Sequence, residues 1–598
     1  MKQLLSGNEA MALGAYHAGI AVATAYPGTP STEILESIAR MEGVYTEWST
    51  NEKVALEVGM GAAYSGVRAL VSMKHVGLNV AADPFFAAST TGIVGGLVVV
   101  SCDDPGEHSS QGEQDNRHFA RFAKVPMLEP TDSQEAYDLM LMAFDISEQF
   151  DTPVLFRATT RISHCKTVVD VSRERENASR RAGFTRAPQK YVMVPSNARV
   201  RRHSMEERIA RLQAHFEGFP HNHMLLADRS LGVISSGVAY QYAREVFKDA
   251  SHLKLTTLYP FPADLIRKFA AEVDRVIVVE ELDPYIEDEV RRMGINVSGK
   301  EFIPIIGELN PEIVENGAVG AGLIPAPQQP AKNPETPAPQ LPLRRPQLCA
   351  GCPHVAAEYV LRKLGFKSAE TGKELAADEL IVTSDIGCYT LGVYPPLAAL
   401  DTCACMGASI GQALGLEKAG VPNKIVAVLG DSTFMHSGIT GLIDVVYNQG
   451  NITVIILDNE TTAMTGHQGH PGTGVSARGG KGGKVELESL VKGIGIEDVN
   501  VVSAFDIAAL EATIKRCIAS DGPSVIISRG ACRLAVRAKA APYEVDADLC
   551  AGCFDCMDLG CPALFVSGDV VRIDAEACAG CGVCAQVCVQ EAITKVES

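Results

Sequence analysis

Long apolar runs are missing from this chain. The longest, Gly92 to Cys102, is too short and too glycine-rich to cross a bilayer, which takes about 20 apolar residues. The opening MKQLLSGNEA lacks the apolar core of an export signal. Positive charge is in deficit: the net charge of −19 argues against a general nucleic-acid binder. It would also repel a small acidic protein unless a local basic patch received it. No repeat with a period of about 20 to 50 residues is visible, which excludes a solenoid. Cysteine is not scarce, with 17 in the chain. Without an export signal, so many thiols read as metal ligands in a reducing compartment rather than as disulfides. The expectation is a cytoplasmic protein with neither a membrane nor a nucleic-acid partner.

A chain of 598 residues should divide into roughly three to five domains. β-Branched runs alternate with helical patterns, as in LVVVSC (97–102), LGVISSG (231–237), RVIVVEE (275–281), KIVAVLG (424–430) and ITVIILD (452–458). That alternation predicts an α/β fold of several doubly wound parallel sheets. The segment from about 165 to 225 is rich in Arg, His and Ser and reads as a joint. The proline-rich stretch 326–346 reads as an extended linker.

Two cysteine ladders close the chain: Cys550, Cys553, Cys556 and Cys561 before Pro562, then Cys578, Cys581, Cys584 and Cys588. The spacing is similar to that of bacterial ferredoxins with two [4Fe–4S] clusters, where the fourth cysteine of each run serves the other cluster. On that rule Cys550, Cys553, Cys556 and Cys588 hold one cluster, and Cys578, Cys581, Cys584 and Cys561 the other. Zinc is the competing reading, but it favours paired CxxC units.

A second signal lies at two strand ends. KIVAVLG runs into Gly430-Asp431-Ser432, and ITVIILD into Asn459-Glu460-Thr461. An Asp, an Asn and a carbonyl at the carboxyl edge of a parallel sheet form an oxygen-only site suited to Mg²⁺ and a phosphate-bearing ligand. Gly430 is expected to let the backbone approach a diphosphate closely. A strand-end turn with Asp431 as helix cap is the plain structural alternative.

These motifs resemble the thiamine-diphosphate motif and, with the rest of the chain, the 2-oxoacid:ferredoxin oxidoreductases. The loop TTAMTGHQGHPGTG (461–474) is similar to that family's TGGQ-type loop, which places Met464, Thr465, Gly466, His467 and Gln468 over the cofactor. His436, His467 and His470 are candidates for bonding the diphosphate or assisting proton transfer, His467 as a catalytic residue, with a structural or solvent-facing role as the alternative for each. STNEKVALEVGMGAAYSG (49–66) resembles the family's catalytic segment, with Glu52 on the carboxylate position and Glu57 as its rival. AYPGTPSTE (25–33) looks like the family's YPxTPS turn, where Thr29 would bond the 2-oxoacid. MKHVGLN (73–79) fits the next active-site strand end, and Arg117 is a candidate for the substrate carboxylate, with a plain surface role as its rival. Cys349, Cys352, Cys388 and Cys532 are similar to the ligands of a third cluster in the family's thiamine domain; Cys403 and Cys405 compete.

The resemblance, closest to the indolepyruvate branch where Ser432 is expected, implies an order of domains: pyrimidine-binding (1–190), transketolase-C-terminal-like (191–325), linker (326–346), diphosphate-binding (347–541) and 2[4Fe–4S] ferredoxin (542–598). It implies thiamine diphosphate, Mg²⁺, coenzyme A as co-substrate and ferredoxin as acceptor. It also implies a separate gamma-type small (beta) subunit of about 200 residues in an α₂β₂ assembly. The expected reaction is the oxidative decarboxylation of an arylpyruvate to arylacetyl-CoA and CO₂. The same chemistry on pyruvate, a branched-chain oxoacid or phenylglyoxylate stays open, as does an iron–sulfur scaffold without catalysis.

Overall fold

A computed structural model describes the chain apart from residues 172, 176–182, 326–345, 366–378, 537–539 and 597–598. The proline-rich linker, except Pro346, falls outside the described residues. The chain forms two compact units, Met1–Thr336 and Pro337–Ser598.

The first unit is built on a seven-stranded sheet. Its order is Thr257–Tyr259, Met127–Leu128, Val154–Thr159, Leu97–Asp103, Ala69–Lys74, Val22–Ala25 and Tyr45–Trp48. Every pairing is parallel except that of the first two strands. Leu97–Asp103 is buried at every position, as a strand covered on both faces must be. A second sheet of five strands follows, centred on Asp228–Ser236 between Val276–Val279 and Ala250–Leu255. Thr257–Tyr259 hydrogen-bonds into the first sheet, so the chain returns to it after the second has begun.

The expected joint holds a 23-residue helix, Pro195–Glu217. Its few buried residues are Met205, Arg208, Leu212 and Phe216, too sparse a stripe to show as helical periodicity. Its arginines serve as donors: Arg208 donates to the carbonyls of Ser89 (2.7 Å) and Asp151 (2.8 Å).

The second unit carries a six-stranded, wholly parallel sheet in the order Thr402–Cys403, Leu380–Ser384, Lys424–Gly430, Thr453–Asp458, Ser524–Arg529, Asp498–Ser503. Apolar layers cover both faces, one including Val355–Gly365 and Ile507–Ala519, the other Ala408–Lys418 and Ile439–Tyr447. The tail adds two antiparallel pairs, Tyr543–Val545 with Ile593–Lys595 and Leu564–Ser567 with Val570–Ile573. Among the described residues no helix is long and apolar enough to cross a membrane.

Candidate active site and cysteine centres

Parallel pairing sets Gly430 beside Leu457, so the residues leaving the two strands, Asp431 and Asn459, emerge side by side. Asp431 accepts backbone N–H bonds from Ser432 (2.7 Å) and Glu460 (2.9 Å), and His470 Nε2 lies 3.2 Å from its Oδ2. The Asn459 side-chain amide reaches Asp431 Oδ1 (3.3 Å) and the Thr461 carbonyl (2.7 Å) with the atom assigned as oxygen. Three oxygens facing one another repel unless the amide turns over to donate or a cation sits among them. A carboxylate, an amide oxygen and a backbone carbonyl brought together at one sheet edge are the oxygen donors that Mg²⁺ takes.

A Cβ on Gly430 would come within 3.0 Å of the Tyr389 ring, so packing of that ring also favours glycine there. The following loop is pinned by Thr462 N–H to the Gln468 carbonyl (2.9 Å) and by Thr465 Oγ1 to Gln468 Oε1 (2.5 Å). Thr461, Thr462, Gln468 and His470 are buried under it, whereas Met464, Gly466 and His467 are exposed at its tip and Thr465 is half-buried. Thr462, absent from the sequence-based set, bonds its hydroxyl to that of Ser432 at 2.9 Å. His436 is buried, with Nδ1 2.6 Å from Ser437 Oγ. His354 is also buried, and neither of its ring nitrogens has a partner among the described residues. Burial pushes its pKa down to about 4, against the pull of nearby Asp431.

One tail cavity is lined by Cys550, Cys553, Cys556 and Cys588, the other by Cys561, Cys578, Cys581 and Cys584 together with Cys352. Burial raises the Cys556 thiol to about 11, and Cys588, Cys553 and Cys550 push it the same way. Cys584 is raised to about 12, chiefly by burial and then by Cys581, Cys561, Cys578 and Cys556. Such thiols become thiolates only when a metal offsets the charge.

Cys349, Cys352, Cys388 and Cys532 also come together. Cys388 is raised to about 11 by burial and then by Cys349 and Cys532, and Cys352 is raised by burial with Cys388 and Cys349 adding to it. His467 Nδ1 is 4.0 Å from Cys532 Sγ. Cys403 and Cys405 are exposed, and Cys403 Sγ points instead at the Asp385 carbonyl, 3.5 Å away. The buried Glu358, also absent from the sequence-based set, leaves both carboxyl oxygens without a partner among the described residues, near Cys352.

In the first unit, Glu52 opens the helix Glu52–Tyr64 behind the Asn51 cap and is buried. It lies against Gly77, where a Cβ would come within 2.7 Å of Glu52 Oε1. The rival Glu57 is exposed and paired with Lys53. Ser31 and Thr32 cap the turn at Gly28, leaving Thr29 half-buried at its apex. Arg117 serves neither as a carboxylate anchor nor as a surface residue. It is 1% exposed, and its guanidinium is spent on Asp115, Glu280 (2.6 Å) and the carbonyls of Glu281 (2.8 Å) and Asp283 (3.0 Å).

Residues 13–223 match the family described as pyruvate flavodoxin/ferredoxin oxidoreductase, thiamine diP-binding. Residues 385–528 match thiamine pyrophosphate enzyme, C-terminal TPP binding domain. Indolepyruvate oxidoreductase subunit IorA of Methanothermobacter thermautotrophicus is 42% identical over 99% of this chain and 97% of its own length. The protein of that name from Archaeoglobus fulgidus is 40% identical over 100% and 98%. A solved 2-oxoglutarate:ferredoxin oxidoreductase from Magnetococcus marinus overlays 53% of this chain and 64% of its own, with 16% identity and a TM-score of 0.43. Sheet, strand-end site and family matches together define a thiamine-diphosphate enzyme class. Within it, the chain belongs to the 2-oxoacid:ferredoxin oxidoreductase family, in the branch of indolepyruvate oxidoreductase subunit IorA.

Proposed function

We propose that this chain is the catalytic subunit of an oxidoreductase that decarboxylates an arylpyruvate, transfers the acyl group to coenzyme A and passes two electrons to ferredoxin. The observation that carries the reading is the convergence of Asn459, Asp431 and the Thr461 carbonyl at adjacent strand ends. Bound thiamine diphosphate would supply the electron sink for loss of CO₂. Asp431, Asn459 and Thr461 would hold Mg²⁺ against its diphosphate, with His470 and two backbone N–H groups fixing the Asp431 carboxylate. The buried Glu52 would carry the proton at the aminopyrimidine ring nitrogen. The loop over Thr461 and Thr462 would keep water from the site.

We read the three cysteine sets as successive electron carriers. A Cβ on Gly351, inside the Cys349–Cys352 pair, would meet Ala579 at 2.5 Å, beside the set containing Cys578 and Cys581. Cys584 of that set packs in one apolar cluster with Cys556 of the last. The tail would then act as a ferredoxin-like domain with two [4Fe–4S] clusters, and the third set as the first electron acceptor. We assign the chain to the cytoplasm, to an α₂β₂ assembly with a small subunit of about 200 residues, and to ferredoxin as acceptor.

The test is anaerobic dye reduction by the chain co-expressed with its small subunit, given indolepyruvate and coenzyme A. Reduction should require added thiamine diphosphate and should favour indolepyruvate over pyruvate and 2-oxoglutarate. Preference for another oxoacid would change the substrate and keep the chemistry. No reduction with any 2-oxoacid, despite intact iron–sulfur absorbance, would overturn the reading.

A further inference from the structure

With Arg117 fully engaged, the first unit needs another cation for an anionic substrate. Three neighbouring strands, in the order Tyr45–Trp48, Val22–Ala25 and Ala69–Lys74, end at one carboxyl edge of the sheet. Glu52 follows the first of these strands, Thr29 the second, and Lys74 closes the third. Ligands bind at such an edge in open parallel sheets.

Lys74 is only 8% exposed, and its side chain runs along the Thr29 turn. A Cβ on Gly28 would meet Lys74 Cβ at 3.0 Å and Cδ at 3.7 Å, so glycine at 28 is what admits the lysine there. Its Nζ donates to the Ser109 carbonyl (2.5 Å), and Ser109 Oγ in turn reaches the Thr29 carbonyl at 3.4 Å. Among the described residues no carboxylate lies within 4 Å of Nζ. Asp104 is nearest in effect, but its oxygens are taken by Ser109 N–H (2.9 Å), Ser110 (2.5 Å) and Thr160 (2.7 Å). An ammonium has three donors, and one of them is spent here. A buried cation whose nearest counter-ion, Asp104, is already hydrogen-bonded elsewhere is costly, and an anion arriving beside Thr29 would relieve that cost.

We infer that Lys74 binds the carboxylate of the 2-oxoacid, making it a substrate-binding residue of the reaction. The inference rests on the proposed function, because it takes a 2-oxoacid as substrate. Burial lowers the lysine pKa, Asp104 opposing, and an incoming carboxylate would favour the charged form. Such a contact holds the ground state and is lost as CO₂ leaves. It should therefore act on KM and leave kcat unchanged or raised.

The experiment uses the assembled holoenzyme under anaerobic conditions, with Lys74→Met and Lys74→Arg. Loss of one charge-assisted hydrogen bond should raise the arylpyruvate KM by about 10- to 100-fold in Lys74→Met, with partial recovery in Lys74→Arg. Iron content and thiamine diphosphate affinity should stay at wild-type values. The inhibition constant of arylacetate should rise by the same factor as KM, while that of the uncharged arylacetamide should not move. Unchanged KM, or equal weakening of acid and amide, would overturn the inference. If Lys74→Met fails to assemble, the wild type still decides: equal inhibition by acid and amide would refute a cation at this position. A wild type that turns over no 2-oxoacid defeats the proposed function itself. Turnover by wild type with unaltered Lys74→Met kinetics defeats only the assignment of Lys74.

Discussion

Arg117 in the first unit and Glu358 in the second are both ionisable groups with almost no exposure, 1% and 0%, but they are buried in opposite ways. Arg117 belongs to a web in which Asp115 and Glu280 answer its charge, and the nearby Arg157 bonds Asp103 and Glu129. The web holds Asp115 well below the usual carboxylate range. Glu358 has no partner for either oxygen, nor has His354 for either ring nitrogen, among the described residues. Burial drives Glu358 far above the ordinary carboxylate value. Native interiors rarely leave such groups unsatisfied, and the exceptions concentrate at functional sites. Every Arg117 guanidinium nitrogen is paired, although Asp103 Oδ1 and Arg157 Nη2 in the same web have no partner among the described residues; we read the wholly unpaired Glu358 and His354 as the place where something binds.

The sharpest way to break this comparison is to damage the open region. Asp431→Ala removes a charged member of the oxygen set and the acceptor of two N–H groups. Turnover should fall by at least about 100-fold, in line with losses on removing groups that organise a metal site. Equilibrium dialysis should show thiamine diphosphate and Mg²⁺ affinity lost together. Retained affinity would place the cofactor elsewhere. Cys588→Ser comes next. It should cost about one cluster's worth of iron, with electron paramagnetic resonance losing one signal of the tail. Loss of signals assigned to Cys561, Cys578, Cys581 and Cys584 instead would reverse the crossed pairing.

Damage to the closed region should leave chemistry intact and lower stability. Arg117→Met strands Asp115 and Glu280 in the core, and breaking a buried pair from one side costs about 3–5 kcal/mol. The melting temperature should drop while the arylpyruvate KM stays put. A rise in KM without destabilisation would restore Arg117 as a substrate ligand.

How far the two regions could be read from sequence follows the same division. Buried strands show themselves as β-branched runs, and KIVAVLG forms a strand over its whole length, Lys424–Gly430. The side-by-side placement of Asp431 and Asn459 and the grouping of the ladder cysteines were legible because they depend on local spacing along the chain. Arg117 was not, because it sits in a polar stretch that looks exposed and its partner Glu280 is 163 residues away. Lys74 reads as an ordinary strand-end lysine until the Gly28 turn is folded against it. Glu358 and His354 flank or lie within the helix Val355–Gly365, where a glutamate looks solvent-facing until the fold buries it. The helix Pro195–Glu217 was lost to its own composition: charged residues outnumber its buried apolar ones.

The smallest effect tests whether the first unit's network is closed at its edge. Glu281 is buried, and its carboxylate accepts the Leu309 N–H at 3.0 Å. Burial raises its pKa from 4.5 to about 7, against the lowering effects of Leu309 and Arg157. Between those values the unfolded chain has released a proton that the folded chain still holds. Stability should therefore fall as pH rises from 4.5 toward 7, by up to about 1.4 kcal/mol per pH unit from this group. Above the folded value both states are ionised and the penalty is constant. Glu281→Gln mimics the protonated side chain, so the variant should gain over wild type through that window and keep a fixed advantage beyond it. Urea midpoints of the two proteins across the range measure the difference directly. A difference independent of pH would mean that Glu281 is already ionised when folded, held by the Arg157 charge, and the network of the first unit would then close over it as well.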